Sequence, residues 1–229
     1  MSHCVEYKSE LVNRSYWEEF YENELGSYKD VGYRGEEWFE EYIDSIVDWI
    51  DEILLEYPTK KRILDVGCGN GMFLISIFKS MDNFESGVGI DYVPSAIELA
   101  KKIVEEESLS EQISLFSIDL VSGKDVLDEN AIVQVDLGKF EVIVDKGTYD
   151  VFVMKNEVNI YKESIVRYLK KGSILFITSC NSTPYELTDS FDDHVNFVKI
   201  SDLPHKSYSY NGTQGQVLAS VAFKCIKED

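Results

Sequence analysis

The chain has 229 residues, 44% hydrophobic and 13% aromatic, enough for one globular domain with a self-sufficient core. Its 22 basic and 42 acidic residues leave a formal net charge of −20, which argues against direct contact with a nucleic-acid backbone and favours a basic partner. The four cysteines (Cys4, Cys68, Cys180, Cys225) stand far apart, and no C-x-x-C pair or His/Cys cluster is present, so neither a metal nor a disulfide framework is expected. No run approaches the ~18 apolar residues of a membrane span and no apolar leader opens the chain. A cytoplasmic or nuclear protein without membrane contact is therefore expected. A single domain over 1–229 is expected too, with a helical segment at 1–58 leading into a core at 59–229, and nothing demands more than a monomer.

In chain order, Ser15 with Glu18 reads as a capping box. It would open a helix whose Tyr16, Trp17, Phe20, Tyr21 and Leu25 form an aromatic face, for core packing or for covering a pocket. Residues 26–35 read as a loop. A second helix is predicted from Glu36, because Trp38, Tyr42, Ile46, Trp49 and Ile53 recur at helical spacing, and Tyr57-Pro58 would end it. Trp38, at the start of that helix, is placed to reach the edge of a ligand.

The apolar run ending at Asp65 and Val66 is followed by Gly67, Gly69 and Gly71 at alternate positions, then by the apolar stretch 72–78. Strand, glycine turn, helix is the entry to a nucleotide-binding α/β domain. The dinucleotide fingerprint needs a third glycine where this chain has Met72. The pattern is instead Asp-x-Gly-x-Gly-x-Gly, and an acid ahead of the glycines suits a cationic group better than a pyrophosphate. The stretch resembles motif I of the class I methyltransferases, with S-adenosylmethionine as cofactor and a nicotinamide cofactor as the alternative.

Gly87–Asp91 reads as a second buried strand, and the acid at its end, Asp91, can accept both ribose hydroxyls, with Tyr92 beside it. A helix follows from Pro94. Residues 113–118 read as a third strand ending at Asp119. In class I methyltransferases an acid there takes the adenine amino group and the next backbone N–H, here Leu120, meets a ring nitrogen. Residues 121–138 form an acidic, irregular excursion. The fourth strand, 140–144, runs into Asp145-Lys146-Gly147-Thr148-Tyr149-Asp150, the best-placed stretch for contact with a reacting group. A helix near 158–170, a fifth strand at 172–178 and a final antiparallel hairpin at 197–200 and 217–223 complete the reading. The fold class is α/β: a Rossmann-like, seven-stranded, mostly parallel sheet with helices on both faces and an N-terminal helical extension.

Several stretches resemble one family in particular, the class I lysine methyltransferases that act on translation elongation factor one-alpha. They are Tyr16-Trp17 with Tyr21 and Glu24-Leu25, Gly35-Glu36-x-Trp38-Phe39, the glycine motif, Gly89-Ile90-Asp91-Tyr92-x-Pro94-Ser95, Asp145 to Asp150, Ile177-Thr178-Ser179-Cys180-Asn181, and Tyr210-x-Gly212-x-x-Gly215. Ser182 and Asn211 depart from the pattern, standing where Trp and Gly are expected. The resemblance implies a basic protein substrate, elongation factor one-alpha, and S-adenosylmethionine bound by Trp38, Asp65, Gly67, Gly69, Gly71, Asp91, Tyr92, Asp119, Leu120 and Asp145. On this reading Asp145 orients the target amine, and Tyr149, Trp38 and Tyr16 or Trp17 line its channel. His3, His194 and His205 lie in no motif. A methyltransferase of small molecules or of another protein, and a non-catalytic scaffold for a basic partner, remain as alternatives.

Overall fold

A computed structural model describes residues 10–57, 59–127, 134–210 and 213–227, of which 207–210 and 213–216 as backbone alone. The sheet strands are β1 (Lys61–Val66), β2 (Phe84–Asp91), β3 (Ile113–Ser117), β4 (Phe140–Lys146), β5 (Leu169–Ser179), β6 (Phe197–Leu203) and β9 (Ala219–Cys225). They lie in the order β3-β2-β1-β4-β5-β9-β6. β3 to β5 run parallel, and β9 pairs antiparallel with both β5 and β6. A separate two-stranded ribbon, β7 (Ser207–Tyr210) and β8 (Thr213–Gln216), falls between β6 and β9. The predicted final hairpin is thus two adjacent antiparallel strands, with the ribbon inserted between them.

The central strands are apolar on both faces, as strands covered on both sides must be. One face of the sheet, through Ile63, Val142 and Phe176, packs on Ile46 and Ile50 of α2 (Ile43–Leu54), Leu74 of α3 (Met72–Ser80) and Ile103 of α4 (Pro94–Glu106). The other face, through Leu64, Ile143, Leu175 and Phe223, packs on α5 (Thr148–Lys155), α6 (Val158–Val166) and α7 (Pro184–Phe191), which supply Phe152, Tyr161 and Phe191. Each such fully buried side chain contributes roughly 1.5–3 kcal/mol. Strand order reverses between β1 and β4, where Val66 sits opposite Asp145. The crevice beyond the carboxyl ends of strands at such a reversal is where open α/β sheets bind ligands.

The N-terminal segment differs from its sequence reading in three ways. α1 (Arg14–Val31) has Asn13 at its N-cap without a side-chain cap bond, and Ser15 lies inside the helix. No capping box forms there, because the Glu18 carboxylate pairs with Arg14 at 2.7 Å. The helix also runs on through Gly26 and ends at Gly32 in a left-handed conformation (φ 72°), so much of the predicted loop is helical. Finally, α2 begins at Ile43, not Glu36. Phe39 takes a left-handed φ of 64°, which breaks the helix, and a 3-10 turn at Glu40–Tyr42 intervenes. Residues 34–38 thereby form an arm lying across the carboxyl end of the sheet.

Candidate active site

At the reversal point a cleft encloses about 1020 Å3, its open mouth included. Its floor is the glycine turn, Gly67 to Asn70. One side is Ile90, Asp91 and Tyr92 with Ile118 and Leu120; the other is Lys146 to Thr148, Asp150 and Asn181. Its roof is Trp17 and Tyr21 of α1 together with Trp38 of the arm. Aromatic contacts tie the roof together, with the Trp17 ring 5.5 Å from that of Trp38 and 6.3 Å from that of Tyr21.

The glycine turn requires its glycines. Gly67 and Gly69 have φ of 64° and 53°, a region that costs other residues roughly 1–2 kcal/mol. A Cβ on Gly67 would run into Thr148 Oγ1, itself fixed by donating to the Val66 carbonyl at 2.9 Å. One on Gly69 would run into the Tyr21 hydroxyl of the roof. Gly71 serves another purpose: it starts α3 and sits against Ala100 of α4, away from the cleft.

Asp91 ends β2 with its carboxylate turned to the same turn, accepting the Gly69 N–H at 3.1 Å and the Val93 N–H at 2.9 Å. Each oxygen keeps acceptor capacity for another donor. Burial pushes its carboxyl up to about 6 against those two bonds. Behind the turn, Asp65 is buried with Oδ2 unpartnered among the described residues, and burial raises it to about 8. Trp38 Nε1 is likewise buried without a partner.

The arm is held at both ends. Glu24 of α1 accepts the Glu36 N–H through both carboxylate oxygens, at 2.9 and 3.1 Å. Asn70 Nδ2 donates to the carbonyls of Arg34 and Glu36. At the far end Lys146 pairs with Glu37 at 2.8 Å and donates to the Trp38 carbonyl at 3.0 Å, with all three groups largely out of water.

Besides Asp65 and Gly71, four expected site residues lie outside the cleft lining: Asp145, Tyr149, Asp119 and Tyr16. Asp145 is buried in the second core, accepting the Tyr149 N–H at 3.1 Å and the Tyr161 hydroxyl at 2.8 Å, and burial lifts its carboxyl to about 7. Tyr149, 1% exposed, packs edge-on against Tyr161 and Phe191 and does not form part of a channel wall. The cause is local: Gly147 turns the chain into α5, whose first turn points Tyr149 inward and places Asp150 at the cleft. Asp119 directs its oxygens to the N–H groups of Val121 and Ser122, so that the cleft wall there is Ile118 and Leu120. Tyr16 stacks on Phe20 outside the cleft, while Trp17 lines it.

Lys146 and Asp150 belong to the stretch that the sequence places nearest a reacting group, and Ser179 to Asn181 to a family motif, but no individual role for any of them is legible in the sequence. Asp150 is 4% exposed and gathers four donors: the Ser179 hydroxyl, the Cys180 N–H at 3.0 Å, the Cys180 thiol at 3.2 Å and the Asn181 N–H at 3.4 Å. It thereby fixes the exit of β5 beside the cleft. Among the described residues no group of side chains is arranged to hold a metal ion, and no helix is long and apolar enough to cross a membrane.

A family model described as a methyltransferase domain matches residues 59–220. EEF1A lysine methyltransferase 2 of Mus musculus is 35% identical over 222 residues, covering 94% of this chain and 84% of the relative. The chain belongs to this methyltransferase family. The protein-lysine N-methyltransferase EFM4 of Saccharomyces cerevisiae is 30% identical, with 94% of each chain covered. Among solved structures, the N-methyltransferase NodS of Bradyrhizobium japonicum, in complex with S-adenosyl-L-homocysteine, superposes with a TM-score of 0.60 at 15% identity. It covers 91% of this chain and 98% of its own and shares the fold.

The methyl donor of this methyltransferase is S-adenosylmethionine, and the cleft fits it. Asp91 has the free acceptor capacity that two ribose hydroxyls need. Ile118, Leu120 and Tyr92 offer an apolar berth for adenine. The narrow turn at Gly67 and Gly69, with the unpartnered Trp38 Nε1 in the roof, offers backbone and side-chain donors to the amino-acid end.

Proposed function

We propose that this enzyme methylates the ε-amine of a lysine in translation elongation factor 1A. The observation that carries the reading is the extent of the similarity. The methyltransferase domain model starts at residue 59, yet the likeness to the mouse and yeast lysine methyltransferases covers 94% of the chain. It therefore takes in α1 or the arm, the elements that roof the cleft and face an incoming substrate.

When bound, S-adenosylmethionine supplies an electrophilic methyl on a positively charged sulfur; its transfer to an amine lone pair leaves a neutral thioether and a proton for the nitrogen to shed. The chain's own task is to present a lysine that is neutral and in line. A free lysine has a pKa near ~10.4, so few are neutral at pH 7. An aromatic roof of Trp17, Tyr21 and Trp38 excludes water and disfavours the ammonium form. Glu37 neutralises Lys146, which leaves Asp150, held by the donors of the turn 179–181, as the remaining carboxyl of the wall opposite Asp91. The net charge of −20 would draw a basic protein surface to the cleft and speed encounter. We place the protein in the cytoplasm or nucleus, where its substrate resides, acting as a monomer.

Incubation with labelled S-adenosylmethionine and purified elongation factor 1A, followed by mass spectrometry, tests this. Methyl groups on a single lysine are expected. Label only in small amines, or in another basic protein, would reassign the substrate and leave the methyltransferase standing.

A further inference from the structure

We infer that Asn181 is the group that receives the target amine, and that Asp150 is the residue that positions it. The inference rests on the lysine reading above and deepens it.

An amine attacking a methyl group must direct its lone pair at carbon, so its N–H bonds need an acceptor that sets its orientation. The expected one, Asp145, is sealed in the core by Tyr149 and Tyr161. Asp150 lines the cleft, but both its oxygens are engaged by Ser179, Cys180 and Asn181, so it has no free direction to offer. Its effect is to pin the turn leaving β5. That turn delivers Asn181 to the cleft wall, partly exposed, with Nδ2 donating to Cys180 Sγ at 3.6 Å. With the amide nitrogen engaged, Asn181 Oδ1 is an acceptor that no described residue uses.

An amide oxygen is also the right acceptor chemically. A carboxylate at this point would stabilise the charged ammonium and raise the lysine's pKa, working against the neutral form that reacts. An amide orients the amine with far less preference for charge. Of the other charged groups on the cleft, Lys146 is paired with Glu37, Asp91 faces the glycine turn, and Glu36 is exposed on the arm, on the roof side of the cleft and not on the wall that carries Asn181.

The test compares wild type with Asn181→Ala, Asn181→Asp and Asp150→Asn, on elongation factor 1A, with S-adenosylhomocysteine binding measured by calorimetry on each variant. Asn181→Ala should lower kcat by roughly ten- to a hundredfold, the cost of a misplaced reacting group, while S-adenosylhomocysteine binds as in wild type. Asn181→Asp, nearly isosteric, should shift the rise of kcat with pH to higher pH. Asp150→Asn should lower kcat through the loosened turn and leave that pH profile in place. A kcat within twofold of wild type in Asn181→Ala, or an unmoved pH profile in Asn181→Asp, would overturn the assignment. If wild type itself modifies no lysine, it is the functional reading that fails, and this one falls with it.

Discussion

Lys146 Nζ lies 2.8 Å from Glu37 Oε1, joining the end of β4 to the arm that crosses the cleft. The side chains are 11% and 9% exposed, so the pair is effectively buried, and the same ammonium donates to the Trp38 carbonyl. The ion pair thus ties the far end of the arm to the sheet, as Asn70 ties its near end to the glycine turn. Removing one partner leaves the other charge buried and uncompensated. Lys146→Ala should destabilise the protein by about 3–5 kcal/mol, read as a shifted urea midpoint. The double variant Lys146→Met with Glu37→Gln should recover most of the stability but not cofactor affinity, since the arm loses its tether. A Lys146→Ala protein of wild-type stability would show that the pair does not hold the arm.

Three buried acids make stability depend on pH in an unusual direction. Burial lifts the carboxyls of Asp91, Asp145 and Asp65 to about 6, 7 and 8. In the unfolded chain they return to roughly 3.9. The native state therefore holds protons that the unfolded state has released, and stability fully present below about pH 4 is lost progressively as pH rises from there through the folded values at about 6, 7 and 8. Glu107, Glu141 and Glu186, whose carboxyls are depressed by their partners, act in the opposite sense but only below about pH 4.5. The melting temperature without cofactor should fall from about pH 4.5 to about pH 8, most steeply below about pH 6, and level off above. Asp65→Asn should flatten that fall and raise the midpoint at pH 8.5, because Oδ2 has no partner to lose among the described residues.

Cofactor affinity should move the other way. Asp91 accepts ribose hydroxyls best when ionised, because charge-assisted hydrogen bonds are the stronger kind. With its carboxyl near 6, affinity for S-adenosylhomocysteine should strengthen from pH 5 to pH 7. Calorimetry at fixed ionic strength checks it, and a flat profile would mean that Asp91 is ionised throughout.

The glycines separate three effects. Gly67→Ala meets both a left-handed φ and the fixed Thr148 hydroxyl, and should cost at least about 1–2 kcal/mol. Gly69→Ala presses on Tyr21, the underside of α1, and should weaken cofactor binding more than its effect on stability accounts for. Gly26→Ala lies inside α1 with no atom near its added methyl, and should stabilise by about 0.5–1 kcal/mol. Denaturant titrations with and without S-adenosylhomocysteine distinguish all three.

What the sequence revealed and what it hid follow from range. The Asp-x-Gly-x-Gly-x-Gly turn and the acid ending β2 were legible because backbone geometry and one carboxylate define them locally. The seven-stranded, mostly parallel sheet followed from the alternation of apolar runs and helices, whereas the order of its strands is a long-range property that no local pattern carries. The capping box assigned at Ser15 and Glu18 failed because Arg14 competes for the glutamate, whereas Thr183 and Glu186 form a true one opening α7. Tyr149 and Asp145 neighbour the right strand end, yet both turn inward, Tyr149 because Gly147 opens α5 there and Asp145 because it accepts from Tyr161, sixteen residues on. The arm at 34–38 joins the end of the predicted loop to the start of a helical periodicity that Phe39 interrupts, and its Trp38 carbonyl is held by Lys146, more than a hundred residues away.

The most direct test is calorimetric titration of S-adenosylhomocysteine into wild type and Asp91→Ala, with methyl transfer to elongation factor 1A measured on the same samples. One site per chain, binding weakened at least tenfold by the substitution, and transfer lost in parallel are the expected results. Undiminished binding and transfer in Asp91→Ala would contradict the cleft beyond β1 and β2 as the seat of the cofactor and of the chemistry.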